Sequence, residues 1–250
     1  MSLTSESLEW FSRGLKDAHY ATTSLSPDPR EYTKPGIPSS IREEPSGSVV
    51  EFTKFLKGAG VVTGYVIDIG SGTGRNTLFL AGQGYDVTAI DFVPELIEQL
   101  ERNAIQLDLT ARIKAVCQSV CERWPVKDAS MDAAIDTFCF KHQIPAGDRA
   151  RYKTQLVRTL KPGALFLLTL ADIEDGYYGP LLRSSPRSVE RIIVDPANGI
   201  LSILYTEQDV KSEFQELPLR LVHHELNEKD GLMHGQEYLR RTHLFVFSRE

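Results

Sequence analysis

From Gly64 onward the chain alternates short, nearly continuous apolar runs with stretches whose apolar residues return every three or four positions. This is the pattern of buried strands alternating with amphipathic helices. Residues 65–69 read as a strand, 75–81 as a helix, and 85–91, carrying Val87, Ala89 and Ile90, as a second strand. Pro94 opens the next helix, because proline fits the first helical position, and Leu96, Ile97, Leu100, Ala104 and Leu107 line one face of it. Residues 113–116 and 133–138 are the third and fourth strands. Asp148 stands where it caps a helix whose Tyr152, Leu156, Val157 and Leu160 share a face, and Pro162-Gly163 stops that helix. The most apolar strand, 164–170, follows.

The rhythm changes at both ends. Near the start, Leu8, Phe11 and Leu15 predict a short amphipathic helix, Pro27, Pro29, Pro35, Pro38 and Pro45 restrict helix after it, and 49–57 predicts a second helix. Residues 171–205 are long for a plain connection, so they fold locally or cover a site. Thr206 caps a predicted helix holding Val210, Phe214 and Leu217. Residues 220–227 and 242–248 are then strands of a hairpin whose loop contains Asp230-Gly231 and Gly235. Strand–helix alternation requires right-handed crossovers and helices on both faces. The expected fold class is therefore α/β: a doubly wound, seven-stranded, mostly parallel sheet with an antiparallel C-terminal hairpin.

Charge and composition narrow the function. With 28 Lys+Arg against 34 Asp+Glu the net charge is −6, which argues against a nucleic-acid binder. Hydrophobic residues at 41% support a sizeable core, one domain with additions. The first twenty residues lack the basic and apolar regions of a secretory signal, and no apolar run approaches the roughly 20 residues that span a bilayer. Cys117, Cys121 and Cys139 are an odd set without paired C-x-x-C spacing, so neither a disulfide framework nor a metal site is expected, and a cytoplasmic location is. Arg149, Arg151, Lys153, Arg158 and Lys161 read as a solvated helix face.

The candidate chemistry lies at Asp68-Ile69-Gly70-Ser71-Gly72-Thr73-Gly74, where a buried strand runs through three alternate glycines into a helix. Glycines permit positive φ and close ligand approach, and the helix start offers unpaired N–H donors. Asp91, 21 positions beyond the first glycine and at the end of the next strand, is placed to accept both hydroxyls of a ribose. A dinucleotide fingerprint needs G-x-G-x-x-G, yet Arg75 holds its last position and the third glycine comes one residue early. Asp68 opposes a pyrophosphate but suits a cationic ammonium or sulfonium. The reading favours S-adenosylmethionine. A nicotinamide-dependent oxidoreductase and a non-catalytic binder of S-adenosylmethionine are the alternatives.

Over about residues 64–170 the sequence resembles the class I S-adenosylmethionine-dependent methyltransferases. The glycine motif and Asp91 carry that likeness, and Leu160-Lys161-Pro162-Gly163 leading into an apolar strand carries it independently. The stretch 74–87 is similar to the tellurite-resistance and thiopurine-type branch. The resemblance implies a Rossmann-like fold and methyl transfer to an acceptor. It also implies contacts to the adenine from Gln118, Ser119 and Val120, with Phe92 facing the same ring, and a meeting place of cofactor and acceptor across 136–142, which includes Asp136 and Phe138.

Asn76, in the first turn after the glycines, is a candidate contact for the methionine part. His142 is the candidate general base, because imidazole takes a proton near neutral pH and this one follows the fourth strand. Methyl transfer from a sulfonium carries its own leaving group, so in-line placement alone can suffice. Residues 1–60 are expected to form a lid or helical extension, and 61–250 the catalytic domain with a cover at about 171–205. Tyr20, Phe138, Tyr177 and Tyr178 are then candidates for lining a pocket for a small-molecule acceptor.

Overall fold

The computed structural model describes residues 44–250. Among them nine strands form two sheets: β1 (Gly64–Ile69), β2 (Tyr85–Asp91), β3 (Ile113–Cys117), β4 (Met131–Thr137), β5 (Leu160–Ala171), β6 (Ile192–Val194), β7 (Leu201–Ile203), β8 (Leu219–Met233) and β9 (Gln236–Arg249). Seven lie in the order β3-β2-β1-β4-β5-β9-β8, and β6 pairs with β7 apart from them. Strands β1 to β5 are parallel, while β9 runs antiparallel to both β5 and β8 and is the reversed strand of the terminal hairpin. Six α-helices accompany the strands: α1 (Gly47–Gly58), α2 (Arg75–Gly82), α3 (Pro94–Gln106), α4 (Ala146–Thr159), α5 (Tyr178–Ser184) and α6 (Glu207–Phe214).

Successive side chains of a strand point to opposite faces, and the core divides accordingly. Val66, Ala133, Ile135, Leu165 and Leu167 pack with Val49, Phe52 and Leu56 of α1 and Leu80 of α2. On the other face Ile67, Ile69, Phe166 and Leu168 meet Tyr152 and Leu156 of α4 and Phe214 of α6. Val49, Phe52 and Leu56 are fully buried. Burial of such a side chain is worth about 1.5 to 3 kcal/mol. Part of the segment expected to act as a lid is thus a layer of the core. The predicted helix around Leu8 to Leu15, with Tyr20, lies outside the described residues.

Three predicted boundaries move for local reasons. Pro145, not Asp148, occupies the N-cap of α4, and Asp148 sits inside the first turn with its N–H donated to the Pro145 carbonyl at 3.0 Å. That helix ends at Thr159, before the proline, because Leu160 already pairs with Met131 as strand. In the hairpin, Asp230-Gly231 is paired strand, and the two-residue turn is His234-Gly235, with φ of 49° and 80°. Two successive positive φ values match the right-handed twist of the flanking strands. The hairpin therefore extends well past the last β5 pair, Ala171 to Thr242. Residues 171–205 fold locally as α5 and the β6–β7 pair and rest on this arm, where Gly176 N–H donates to the Leu239 carbonyl at 2.9 Å.

The basic face of α4 is ion-paired. Arg149 and Lys153 both meet Glu213, at 3.1 and 2.9 Å, and Arg158 meets Asp128 at 2.6 Å. No described helix is long and apolar enough to cross a membrane.

Candidate active site

The strand order reverses between β1 and β4, and a crevice opens beyond their C-terminal ends, where ligands bind in open α/β sheets. The glycine loop forms one lip. Gly70, Gly72 and Gly74 have φ of 72°, 57° and 83°, left-handed values that glycine adopts without strain. A Cβ on Gly70 would lie 2.5 Å from the Cβ of Cys139, and one on Gly74 would collide with Leu100 of α3. These glycines are therefore required by packing as well as by conformation.

Asp91 holds the loop in place. One carboxylate oxygen accepts the Gly72 N–H at 2.8 Å and the other the Val93 N–H at 3.0 Å. Burial raises its carboxyl, and the N–H groups of Gly72 and Val93 oppose the shift. The Phe92 N–H opposes it too, and a carboxylate with about four lone-pair sites keeps acceptor capacity for a ribose hydroxyl beside these three donors.

From this lip a cavity of about 840 Å³ runs to the hairpin arm. That is at the large end of the range of small-molecule sites, roughly 300 to 1,000 Å³. Gly70, Ser71, Gly72, Asp91, Phe92 and Asn76 line the loop end, with Ser119 and Val120 beside them. Phe138, Lys141, His142 and Tyr178 line the middle, and Met233, Arg240 and Thr242 the far end. Two wall hydroxyls, Ser71 Oγ and Thr169 Oγ1, are buried without a hydrogen-bond partner among the described residues. Polar atoms so placed cost free energy unless a ligand or water meets them.

Several candidates play a different part from the one expected. Asp68 stands behind the loop, accepting the Thr77 hydroxyl at 2.6 Å, and its other oxygen is buried without a partner among the described residues. Burial pushes its carboxyl up to about 6; the Thr77 hydroxyl lowers it and the Asp91 charge adds to the rise. Thr73 and Gly74 shape the loop rather than the cavity wall. Asp136 is fully buried and ties down the turn after β4: it accepts the N–H groups of Cys139 at 2.8 Å and Phe140 at 2.9 Å, and the Tyr152 hydroxyl at 2.8 Å. It supports the turn from beneath and is not among the residues that line the cavity. Gln118 turns its amide to the Arg123 carbonyl at 3.2 Å, away from the cavity. Tyr177 donates its hydroxyl to Asp195 at 2.8 Å and packs tilted against His234 and edge-on against Tyr238, pinning the 171–205 segment to the arm, while Tyr178 lines the cavity. Asn76 lines the cavity but spends both polar atoms on protein, accepting from Ser46 N–H at 2.9 Å and donating to Thr137 Oγ1 at 3.1 Å.

His142 is half-buried in a 3₁₀ turn, Phe140–His142, and its Nδ1 lies 2.8 Å from the Leu201 carbonyl. A carbonyl only accepts, so Nδ1 carries the hydrogen and Nε2 the lone pair. Burial first, and the Lys141 charge second, lower its pKa to about 3, with the Leu201 bond opposing. The ring is therefore neutral at neutral pH. The sequence did not single out Lys141, Thr169, Ser202 or the hairpin residues. Lys141 sits between two candidates without any periodic signal, and the arm residues of 228–241, Met233 and Arg240 among them, fall in the stretch expected to be the hairpin loop.

Residues 66–163 match the protein family described as methyltransferase domain. An uncharacterized methyltransferase of Mycobacterium tuberculosis is 32% identical over 98 residues, covering 39% of this chain and 36% of that protein, so the match spans about a third of the relative's length. A solved S-adenosylmethionine-dependent methyltransferase from Methanosarcina mazei superposes with a TM-score of 0.65 at 20% identity, over 75% of this chain and 93% of that one. The Burkholderia thailandensis 1,6-didemethyltoxoflavin-N1-methyltransferase, solved with 1,6-didemethyltoxoflavin and S-adenosylhomocysteine, gives 0.60 at 17%, over 100% and 92%. TehB from Haemophilus influenzae gives 0.56 at 18%, over 82% and 62%. At these identities the structures establish the fold, which is the one expected from the sequence.

Proposed function

We propose that the protein, whose residues 66–163 match the methyltransferase-domain family, transfers a methyl group from S-adenosylmethionine to a small-molecule acceptor held between the sheet and the hairpin arm. One observation carries this reading: a single cavity joins the glycine loop and Asp91 to a partly apolar chamber walled by Phe138, His142 and Tyr178. The donor set suits the cofactor, because Asp91 keeps acceptor sites for a ribose and Ser71 Oγ waits unpartnered on the wall. Phe92 and Val120 supply apolar surface for a flat base.

When bound, S-adenosylmethionine supplies a methyl on a sulfonium: the acceptor's lone pair forms the new bond to carbon as the carbon–sulfur bond breaks, its electrons staying on sulfur. The chain's own contribution is placement and exclusion of water. Phe138 and Tyr178 confine the acceptor, and His142 stands on the same wall as a neutral ring. With a pKa of about 3, His142 does not retain the proton that an acceptor releases.

Titration of the protein with S-adenosylmethionine, S-adenosylhomocysteine and NADH tests the reading. Binding of the first two and not the third is the expected result. Two hydrogen bonds to a carboxylate are together worth roughly 3 to 6 kcal/mol, so Asp91→Ala is expected to weaken binding by about a hundredfold or more. Near-native affinity in that variant, or binding of NADH alone, would refute the assignment.

A further inference from the structure

We propose that the buried ammonium of Lys141, with the Tyr178 hydroxyl, forms an anion-binding subsite that takes the carboxylate of a small aromatic-acid acceptor. The inference rests on the methyl-transfer reading of the same cavity. Lysine ordinarily keeps its charged head in water. Lys141 is only 4% exposed, yet it lies on the cavity wall. Its Nζ stands 4.4 Å from the centre of the Tyr178 ring and 5.7 Å from that of Phe138. The Tyr178 hydroxyl accepts one of its N–H groups at 3.3 Å, and no carboxylate pairs with it among the described residues.

The neighbouring charges are already committed. Arg240, whose guanidinium also lies over the Tyr178 ring, donates to Asp175 at 2.8 Å. Arg241 is held by Asp172 at 3.2 Å and Glu228 at 2.7 Å. Asp195, the buried acid on this part of the wall, accepts from Tyr177, from the Ala197 N–H and from His234. Glu225 and Glu228 line the rim but are exposed, where solvent and salt screen them. Asp195 is thus satisfied by hydrogen-bond donors of its own, and Lys141 is a buried cation on this wall with no carboxylate bonded to it among the described residues.

The geometry also supplies a second donor. Because the Tyr178 oxygen accepts from Lys141, its own hydrogen is left to donate elsewhere, and an N⁺–H donor and an O–H donor stand 3.3 Å apart on the cavity wall. Charge-assisted bonds of this kind are the strong ones, and a carboxylate offers two oxygens to receive them. The rings of Phe138 and Tyr178 flank the place where a flat apolar body attached to that carboxylate would lie.

The test uses the full-length protein, with and without saturating S-adenosylhomocysteine, and two matched pairs of probes: benzoate against benzamide, and salicylate against salicylamide. Affinities are read by ligand-observed NMR at pH 7.5. In the wild type each acid is expected to bind at least about tenfold more tightly than its amide. Lys141→Met is expected to remove that preference, Lys141→Arg to keep part of it, and Tyr178→Phe to narrow it, all with unchanged S-adenosylhomocysteine affinity. Equal binding of acid and amide, binding of neither, or a preference that survives in Lys141→Met overturns the subsite. A fall in S-adenosylhomocysteine affinity in Lys141→Met also overturns it, by assigning the ammonium to the cofactor's own carboxylate. Failure of the wild type to take S-adenosylhomocysteine sinks the methyl-transfer reading instead, and the acid-against-amide comparison without it still decides the subsite.

Discussion

His142 links the site's chemistry to acid stability. Its folded pKa lies at about 3, against 6.5 for the free side chain, through burial and then the Lys141 charge. Below pH 6.5 the unfolded chain takes up a proton that the folded one refuses until about pH 3. The stability this residue contributes is therefore complete above 6.5 and lost progressively as pH falls through that window. Urea denaturation at pH 7.5, 5.5 and 4.5 should show His142→Gln losing stability less steeply than the wild type; equal slopes would contradict a buried neutral imidazole. The methyl-transfer rate should likewise lack an inflection near pH 6.5 that His142→Gln abolishes. At this scale the sequence was informative where chemistry follows from spacing, as for Gly70 and Asp91. It covered Lys141 only as part of 136–142 without singling it out, because one lysine carries no pattern, and it did not show that Asp136 ties down a turn, because those bonds are made only in the fold.

Among the elements, α6 shows a helix start that local sequence dictates outright. Thr206 Oγ1 accepts the Asp209 N–H at 3.2 Å, and the Thr206 N–H donates back to Asp209 Oδ2 at 2.7 Å, a reciprocal capping box. Asp209 also pairs with Arg191, which leads into β6, so the box anchors the 171–205 segment as well as α6. Thr206→Ala is expected to cost about 1 kcal/mol. For a chain of this size that lowers Tm by roughly 2 to 4 °C, measurable by calorimetry; an unchanged Tm would mean that the Arg191 pair carries the start of the helix alone. Elements of this kind were legible because their signals lie within four residues of one another. The cap of α4 was not, since Asp148 and Pro145 both suit a helix start and only packing chooses between them. The hairpin length was not either: Asp230-Gly231 is a turn signal in isolation, and pairing across the whole arm overrides it in favour of His234-Gly235.

At the scale of the molecule, the parallel sheet brings Gly70, Asp91 and Phe138 to one edge, while the 171–205 segment and the hairpin arm close the chamber opposite. That closure depends on a contact the sequence did not reveal, because it joins residues 63 positions apart through backbone rather than side chains. Gly176 donates its N–H to the Leu239 carbonyl, and a Cβ at Gly176 would lie 2.5 Å from that same oxygen. Tyr177, packed against Tyr238, and Met233, clustered with Ala171 and Tyr178, extend the seam, and Arg240 and Arg241 of the arm pair with Asp175 and Asp172 of the cover. The glycine loop takes no part in it. Gly176→Val should therefore separate cover from arm while sparing the cofactor end. Amide exchange in 173–205 and 228–240 is expected to accelerate, the amides of β1, β4 and β5 to stay protected, and the S-adenosylhomocysteine affinity to remain near native. The preference for benzoate over benzamide should fall at the same time, because Tyr178 moves with the cover. Faster exchange in β1 and β4 as well would show that the cover and the sheet open as one unit, and that the chamber is held shut by the core rather than by this seam.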